Sequence, residues 1–208
     1  MTHHRRRNNG IDPSKINETV ELSPAQRYAA FKQTQAKQRT VAAEFARSMP
    51  FELDEFQMQA NDALEAGDNV LVAAPTGAGK TVAADFAIYL AQTRNVKAFY
   101  TTPIKALSNQ KYHDLVDQYG TDKVGLLTGD TSINSEADIV VMTTEVLRNM
   151  LYEHSVTLEA LRYVILDEVH YLADRFRGPV WEEVIIHLPK NVNIIGLSAT
   201  VSNVEDFS

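Results

Sequence analysis

The chain contains no cysteine. A disulfide framework and a cysteine-ligated zinc site are therefore both excluded. No apolar run approaches the roughly 20 residues that a bilayer-spanning helix needs. The opening "MTHHRRRNNG" carries charge, but no apolar segment follows it, so it does not read as a secretory signal. The expected compartment is the cytoplasm, with no membrane partner. Basic charge is also short, with a formal net charge of −7. That balance argues against a protein that holds nucleic acid through a broad basic face. Binding through backbone amides and helix N-termini stays open, because their partial charges are absent from the count. Internal repeats and low-complexity tracts are missing too. What remains is a chain of 208 residues, 44% of them hydrophobic, enough for one globular domain with an appendage.

Residues 1–22 are polar and broken by "RRRNNG" and "DPS", and are expected to be a disordered tail. Arg5, Arg6 and Arg7 read as a solvated charged end, with an auxiliary nucleic-acid arm as the alternative. Residues 23–50 read as an appended surface helix, with Ser23 as N-cap, Pro24 at the first position and Pro50 as the stop. After it the texture changes. Apolar runs at 69–74, 96–102, 138–143, 163–168 and 193–198 read as strands buried on both faces. Helical stretches near 54–66, 80–93, 104–119, 144–153 and 181–188 lie between them. This alternation predicts an α/β fold, a doubly wound and mostly parallel sheet spanning 51–208. Ligands bind such sheets at the C-terminal strand ends, and the chemically loaded residues fall there.

The first strand runs into "APTGAGKT", residues 74–81, and then a helix. This nearly matches the phosphate-binding loop G-x-x-x-x-G-K-[ST], with Ala74 at the first glycine position. The loop comprises Pro75, Thr76, Gly77, Ala78, Gly79, Lys80 and Thr81. Gly77 and Gly79 let backbone N–H groups turn inward around phosphates, and the helix adds its positive end. Lys80 suits the β- and γ-phosphates, and the Thr81 hydroxyl suits Mg²⁺. The fourth strand ends in "ILDEVH". There Asp167 can hold the magnesium shell while Glu168 orients and deprotonates the attacking water, adjacent strand positions pointing in different directions. The fifth ends in "LSAT", which places Ser198 and Thr200 beside them.

"APTGAGKT", "DEVH" and "SAT", in this order, resemble the first RecA-like domain of a superfamily-two helicase. The closer resemblance is to DExH-box RNA helicases of the superkiller and exosome-associated type, in which alanine at the first glycine position is tolerated. It runs from about Phe51 to Phe207. The resemblance implies an N-terminal RecA-like ATP-binding domain, truncated at its C-terminal end, that uses ATP and Mg²⁺. In "PFELDEFQ" it implies that Phe51 stacks on adenine and that Gln57 pairs with the adenine edge; a core aromatic and a solvated helix residue are the alternatives. His170 would couple the nucleotide site to the other domain, together with Ser198 and Thr200. "TTPIKALSNQ" opens a helix whose N-terminus suits phosphate, and in the family it touches the nucleic-acid backbone through Thr102, Pro103 and Lys105. "TGD" and "TTEVLRNM" implicate Gly129, Thr144 and Arg148, with a surface salt bridge as the alternative for Arg148. Gly178 and Trp181 read as packing residues.

Family motors close two RecA-like domains around ATP, the second supplying arginine fingers. Nothing here resembles its Q-x-x-G-R-x-x-R motif, so the second domain is expected to lie outside this chain. An arginine finger is worth about 10³–10⁵ in rate, so the isolated chain is expected to bind Mg-ATP and barely hydrolyse it. The leading reading is half of an RNA helicase motor acting on single-stranded nucleic acid, RNA favoured. A superfamily-two DNA helicase or translocase is one alternative, and a nucleotide-dependent interaction module is another.

Overall fold

A computed structural model describes Ser23, residues 39–170 and residues 178–199. The expected tail at 1–22, most of the expected helix at 24–38, and Thr200 lie outside the described residues. The chain divides into two compact units, Met1–Arg39 and Thr40–Ser208. In the second, six α-helices are described: α1 (Val41–Ser48), α2 (Glu55–Ala66), α3 (Thr81–Arg94), α4 (Lys105–Tyr119), α5 (Thr144–Tyr152) and α6 (Gly178–His187). The strands are β1 (Val70–Ala73), β2 (Lys97–Thr102), β3 (Val124–Thr128), β4 (Thr131–Ile133), β5 (Ile139–Thr143), β6 (Leu161–Leu166) and β7 (Asn193–Ser198).

The seven strands form one sheet in the order β1-β7-β6-β2-β5-β3-β4. Every pairing is parallel except β3 with β4. Period-two alternation sorts the side chains onto two faces. Ala98 and Tyr100 of β2, with Tyr163 and Ile165 of β6, face a core shared with α1, α2, α3 and α4. Phe99, Val164 and Leu166 face the other core, with Leu147 of α5 and Trp181 and Val184 of α6. Helices cover both faces, so the sheet is doubly wound. Helix α3 carries "AADFAIYLA", is buried nearly all round, and packs against β6, β2 and β7 in the middle of the sheet.

Three local features differ from the sequence expectation. First, the described helix before Pro50 starts at Thr40, whose extended backbone (φ −75°, ψ 156°) interrupts any run from Ser23. Thr40 Oγ1 accepts from the Ala43 N–H at 3.1 Å, and the Glu65 carboxylate accepts from Val41 and Ala42 at 3.0 and 2.7 Å. Those acceptors satisfy the orphan N–H groups of a helix start. The helix is packed rather than appended, since Phe45 is buried against the rings of Phe86 and Tyr89.

Second, among the described residues β1 is an edge strand paired with β7 alone, and Leu71 is 66% exposed rather than buried. Third, "KVGLLTGDTSI" forms the β3–β4 hairpin, closed by the two residues Gly129 and Asp130. Glycines inside the run hide its strand signal. Gly125 is required there, because a Cβ would stand 2.1 Å from the Asn134 carbonyl oxygen.

Candidate nucleotide and nucleic-acid site

The parallel pairing brings β1, β7 and β6 side by side, so their C-terminal ends share one rim. From β1 the chain leaves through Pro75 and Thr76 into a turn closed by the Ala78 N–H donating to the Pro75 carbonyl at 3.1 Å. Gly77 and Gly79 have φ of +85° and +75°, which L-residues adopt at a cost. Lys80 then turns helical, and Thr81 opens the fourteen-residue α3. A turn of this kind at the start of a long helix presents unpaired N–H groups to an anion. The loop is tied to the next strand as well, the Ala74 N–H donating to the Ser198 carbonyl at 3.2 Å. Ser198 itself is buried at the end of β7.

At the end of β6 the chain turns sharply. Asp167 and Glu168 lie in this turn rather than in the strand, and Glu168 has φ +57°. The turn, not the strand pleat, therefore sets their different directions. The Asp167 carboxylate is held from two sides: Oδ1 accepts from the Glu168 N–H at 2.9 Å, and Oδ2 accepts from the Tyr100 hydroxyl at 2.7 Å. His170 Nδ1 stands 3.2 Å from Glu168 Oε2, an ion pair whenever the imidazole is protonated. Among the described residues no group of three His, Cys, Asp or Glu could form a metal cage. Magnesium is commonly held by one or two carboxylates plus phosphate oxygens, and Asp167 with the Thr81 hydroxyl is a donor set of that kind.

Gln57 approaches the same loop from α2. Its Oε1 accepts from the Asp54 N–H at 2.8 Å, and its Nε2 donates to the Gly79 carbonyl at 2.9 Å. Both ends of the buried amide are thus engaged within the protein. Phe51 is 52% exposed, which removes the core-aromatic reading and leaves its face available to a flat partner.

The expected nucleic-acid residues separate into two groups. Thr102 and Thr144 are buried. Thr102 Oγ1 donates to the Ile104 carbonyl at 3.0 Å and shares a 2.7 Å hydrogen bond with Ser108, while Thr144 Oγ1 donates to the Thr102 carbonyl at 3.3 Å. These hydroxyls pin α4 and α5 to the end of β2. Pro103, Lys105, Gly129 and Arg148 are at least partly exposed. Lys105 Nζ pairs with Asp130 at 2.6 Å, and Arg148 Nε stands 3.7 Å from Glu183 Oε2, the surface pair foreseen as its alternative. The hydrogen bond from Lys105, then that from Thr128, pulls the Asp130 carboxyl below its ordinary range. Trp181 is fully buried, as a packing residue should be.

Sequence reasoning overlooked Tyr100, read only as part of a buried strand. The available signal was its hydroxyl: a buried tyrosine usually finds a polar partner. Asp130 was likewise missed as the partner of Lys105.

Comparison with known proteins places this geometry. Residues 54–207 match the DEAD/DEAH box helicase family. Over 163 residues the chain is 63% identical to the probable helicase HelY of Mycobacterium tuberculosis, covering 78% of this chain and 18% of that protein. It is 53% identical to the antiviral helicase SKI2 of Saccharomyces cerevisiae over 163 residues, covering 78% of this chain and 13% of SKI2. The Mycobacterium smegmatis helicase Lhr, solved with ssDNA and AMP-PNP, is 32% identical with a TM-score of 0.57, covering 72% of this chain and 23% of that one. The chain thus spans less than a fifth of either curated relative, and within that span the fold is a RecA-like helicase domain. It belongs to the DEAD/DEAH box helicase family.

Proposed function

We propose that this chain is the ATP-binding half of an ATP-dependent RNA helicase motor, coupling ATP binding and hydrolysis to movement along single-stranded RNA in the cytoplasm. The observation that carries this reading is the sheet order, which makes neighbours of β1, β7 and β6, the strands that "APTGAGKT", "SAT" and "DEVH" end or follow in the sequence. In this reading the loop from Pro75 to Thr81 cradles the phosphates, and Lys80 neutralises the β- and γ-oxygens. Phe51 and Gln57 receive the adenine. Thr81 and Asp167 hold magnesium, which when bound offsets phosphate charge. Glu168 orients the attacking water and takes its proton. His170, Ser198 and Thr200 pass the state of the site to the second RecA-like domain.

RNA is favoured because "TTPIKALSNQKY" and "VMTTEVLRNMLY" resemble the RNA-type relatives. In this reading Pro103, Lys105, Gly129 and Arg148, which are at least partly exposed, meet the strand, while the buried Thr102 and Thr144 shape the helix starts. The ssDNA carried by Lhr supports the second reading, a DNA translocase with the same motor.

Steady-state ATPase assays with single-stranded RNA, single-stranded DNA or neither separate these readings. The full-length protein should hydrolyse ATP, prefer RNA and lose turnover with Glu168→Gln. This chain alone, lacking arginine fingers, should turn over about 10³–10⁵ more slowly. A DNA preference selects the translocase. No response to either polymer overturns the motor reading and favours a nucleotide-dependent interaction module.

A further inference from the structure

Tyr100 sits on β2 with its ring packed in the core beneath α3, and it is 1% exposed. Its partner across the ladder is Ile165 of β6, two positions before Asp167. β6 ends at Leu166, one residue after Ile165, so the phenol lies beside the turn that carries Asp167. The Asp167 N–H donates to the Thr101 carbonyl at 3.0 Å, which fixes the backbone at that point. The Tyr100 hydroxyl then reaches Asp167 Oδ2 at 2.7 Å. From outside, Lys111 Nζ stands 5.1 Å from the centre of the Tyr100 ring. The phenolic O–H is the donor of this pair, since an ionised carboxylate only accepts.

Packing alone does not call for this hydroxyl. A phenylalanine would fill the same core volume without a polar atom to satisfy, as Phe99 does on the opposite face. We propose that Tyr100 is a positioning residue for the magnesium–nucleotide complex, clamping Asp167 Oδ2 while the Glu168 N–H clamps Oδ1. This inference rests on the nucleotide reading above. With one donor on each oxygen, the carboxylate plane is fixed before a cation arrives, and each oxygen keeps a further lone pair for the cation or its water. Without the phenol, Oδ2 is left in need of a donor, which costs enough to favour a different carboxylate rotamer. Partners of this outer kind typically change metal affinity by about 10- to 100-fold.

The test uses the full-length protein with AMP-PNP, and manganese(II) as a paramagnetic probe of the cation site. Tyr100→Phe should weaken manganese binding to the nucleotide complex about 10-fold. AMP-PNP binding in excess EDTA should stay at the wild-type value, showing an intact fold and phosphate loop. The manganese effect should also vanish in an Asp167→Ala background, since coupled residues lose their interaction in a double-mutant cycle. Unchanged manganese affinity in Tyr100→Phe overturns the inference, as does an equal loss when Asp167 is already alanine. Should Tyr100→Phe not fold, wild-type protein labelled at tyrosine ¹³Cζ decides: one resonance moves on adding Mg²⁺ to the AMP-PNP complex, and a spectrum without change overturns it. A wild type that takes up no manganese with AMP-PNP sinks the nucleotide reading itself.

Discussion

The Gln57 side chain bridges the start of α2 and the phosphate loop, taking the Asp54 N–H at 2.8 Å and giving a hydrogen bond to the Gly79 carbonyl at 2.9 Å. Those two bonds use one of the two amide N–H groups and one of the two carbonyl lone pairs, so the same amide can pair with the adenine edge while holding the loop. Replacing Gln57 by alanine should therefore act twice. The free protein loses a capping interaction worth about 1 kcal/mol, which lowers Tm by about 2–4 °C in a domain of this size. The bound state loses its base reader, so ATP and GTP should bind alike. Thermal melts and nucleotide titrations check both, and an ATP preference that survives Gln57→Ala sinks the adenine-reading role.

Gly79 and Gly77 offer a matched comparison within one loop. Both have positive φ, so alanine at either is strained by about 1–3 kcal/mol. They differ in surroundings. A Cβ at Gly79 would stand 2.6 Å from Gln57 Nε2, whereas one at Gly77 meets nothing within 4 Å. Gly79→Ala should lower Tm further than Gly77→Ala, and removing Gln57 in the same chain should return part of the difference. Purely additive losses in that cycle would show that the amide is not what a side chain at 79 meets.

The parallel sheet and the rim were legible because their signals are local: β-branched apolar runs, helical spacing, and a strand–glycine–helix junction. The five strands foreseen lie within two residues of those observed. What escaped detection depends on partners distant in sequence. The Thr40 helix start rests on Glu65, 24 residues away from Val41. The β3–β4 hairpin is disguised by Gly125, which only the neighbouring Asn134 backbone explains. Leu71 is exposed because its face of β1 is left uncovered among the described residues while Val70 and Val72 pack into the core on the other face, and no pattern within β1 announces which face that is. Tyr100 looked like one more apolar strand residue because its hydroxyl acquires meaning only when Asp167, 67 residues later, arrives beside it.

Lys105 and Asp130 form an exposed pair at 2.6 Å on the surface expected to face the strand. Exposed pairs add little stability, so Asp130→Asn should leave the melt nearly unchanged. Its charge, however, opposes phosphate and occupies Lys105. Asp130→Asn should tighten single-strand binding several-fold at low salt, and Lys105→Ala should reduce the slope of log K against log[salt] by about 0.7. The Asp130 carboxyl is lowered, so its small contribution is complete above the ordinary aspartate value of about 3.9 and fades only as pH falls through the lowered one. Stability and binding should therefore show no dependence on this pair between pH 6 and 8. Unchanged affinity in both variants, measured by fluorescence anisotropy, places the strand elsewhere.

Thr102 is the sharpest case of a residue whose expected role and observed placement differ. The family resemblance assigns it to the nucleic-acid backbone, yet its hydroxyl is buried between the Ile104 carbonyl at 3.0 Å and the Ser108 hydroxyl at 2.7 Å. Since Thr102 gives its proton to Ile104, Ser108 must donate to Thr102. Valine keeps the shape and removes both hydrogen bonds; the Ile104 carbonyl still accepts from the Leu107 and Ser108 N–H groups, but the buried Ser108 hydroxyl loses its Thr102 partner at a cost of about 1–3 kcal/mol. Tm should fall by about 2–4 °C for each of those kcal/mol, because the hydroxyl holds the first turn of α4 against β2. Phosphate would then be met by the N–H groups of that turn rather than by the threonine oxygen. Single-strand affinity of folded Thr102→Val, measured well below its Tm, should stay within about threefold of wild type, under the 1 kcal/mol or more expected for a direct hydrogen bond to a charged group. A variant that melts like wild type but binds the strand far more weakly would return Thr102 to the interface.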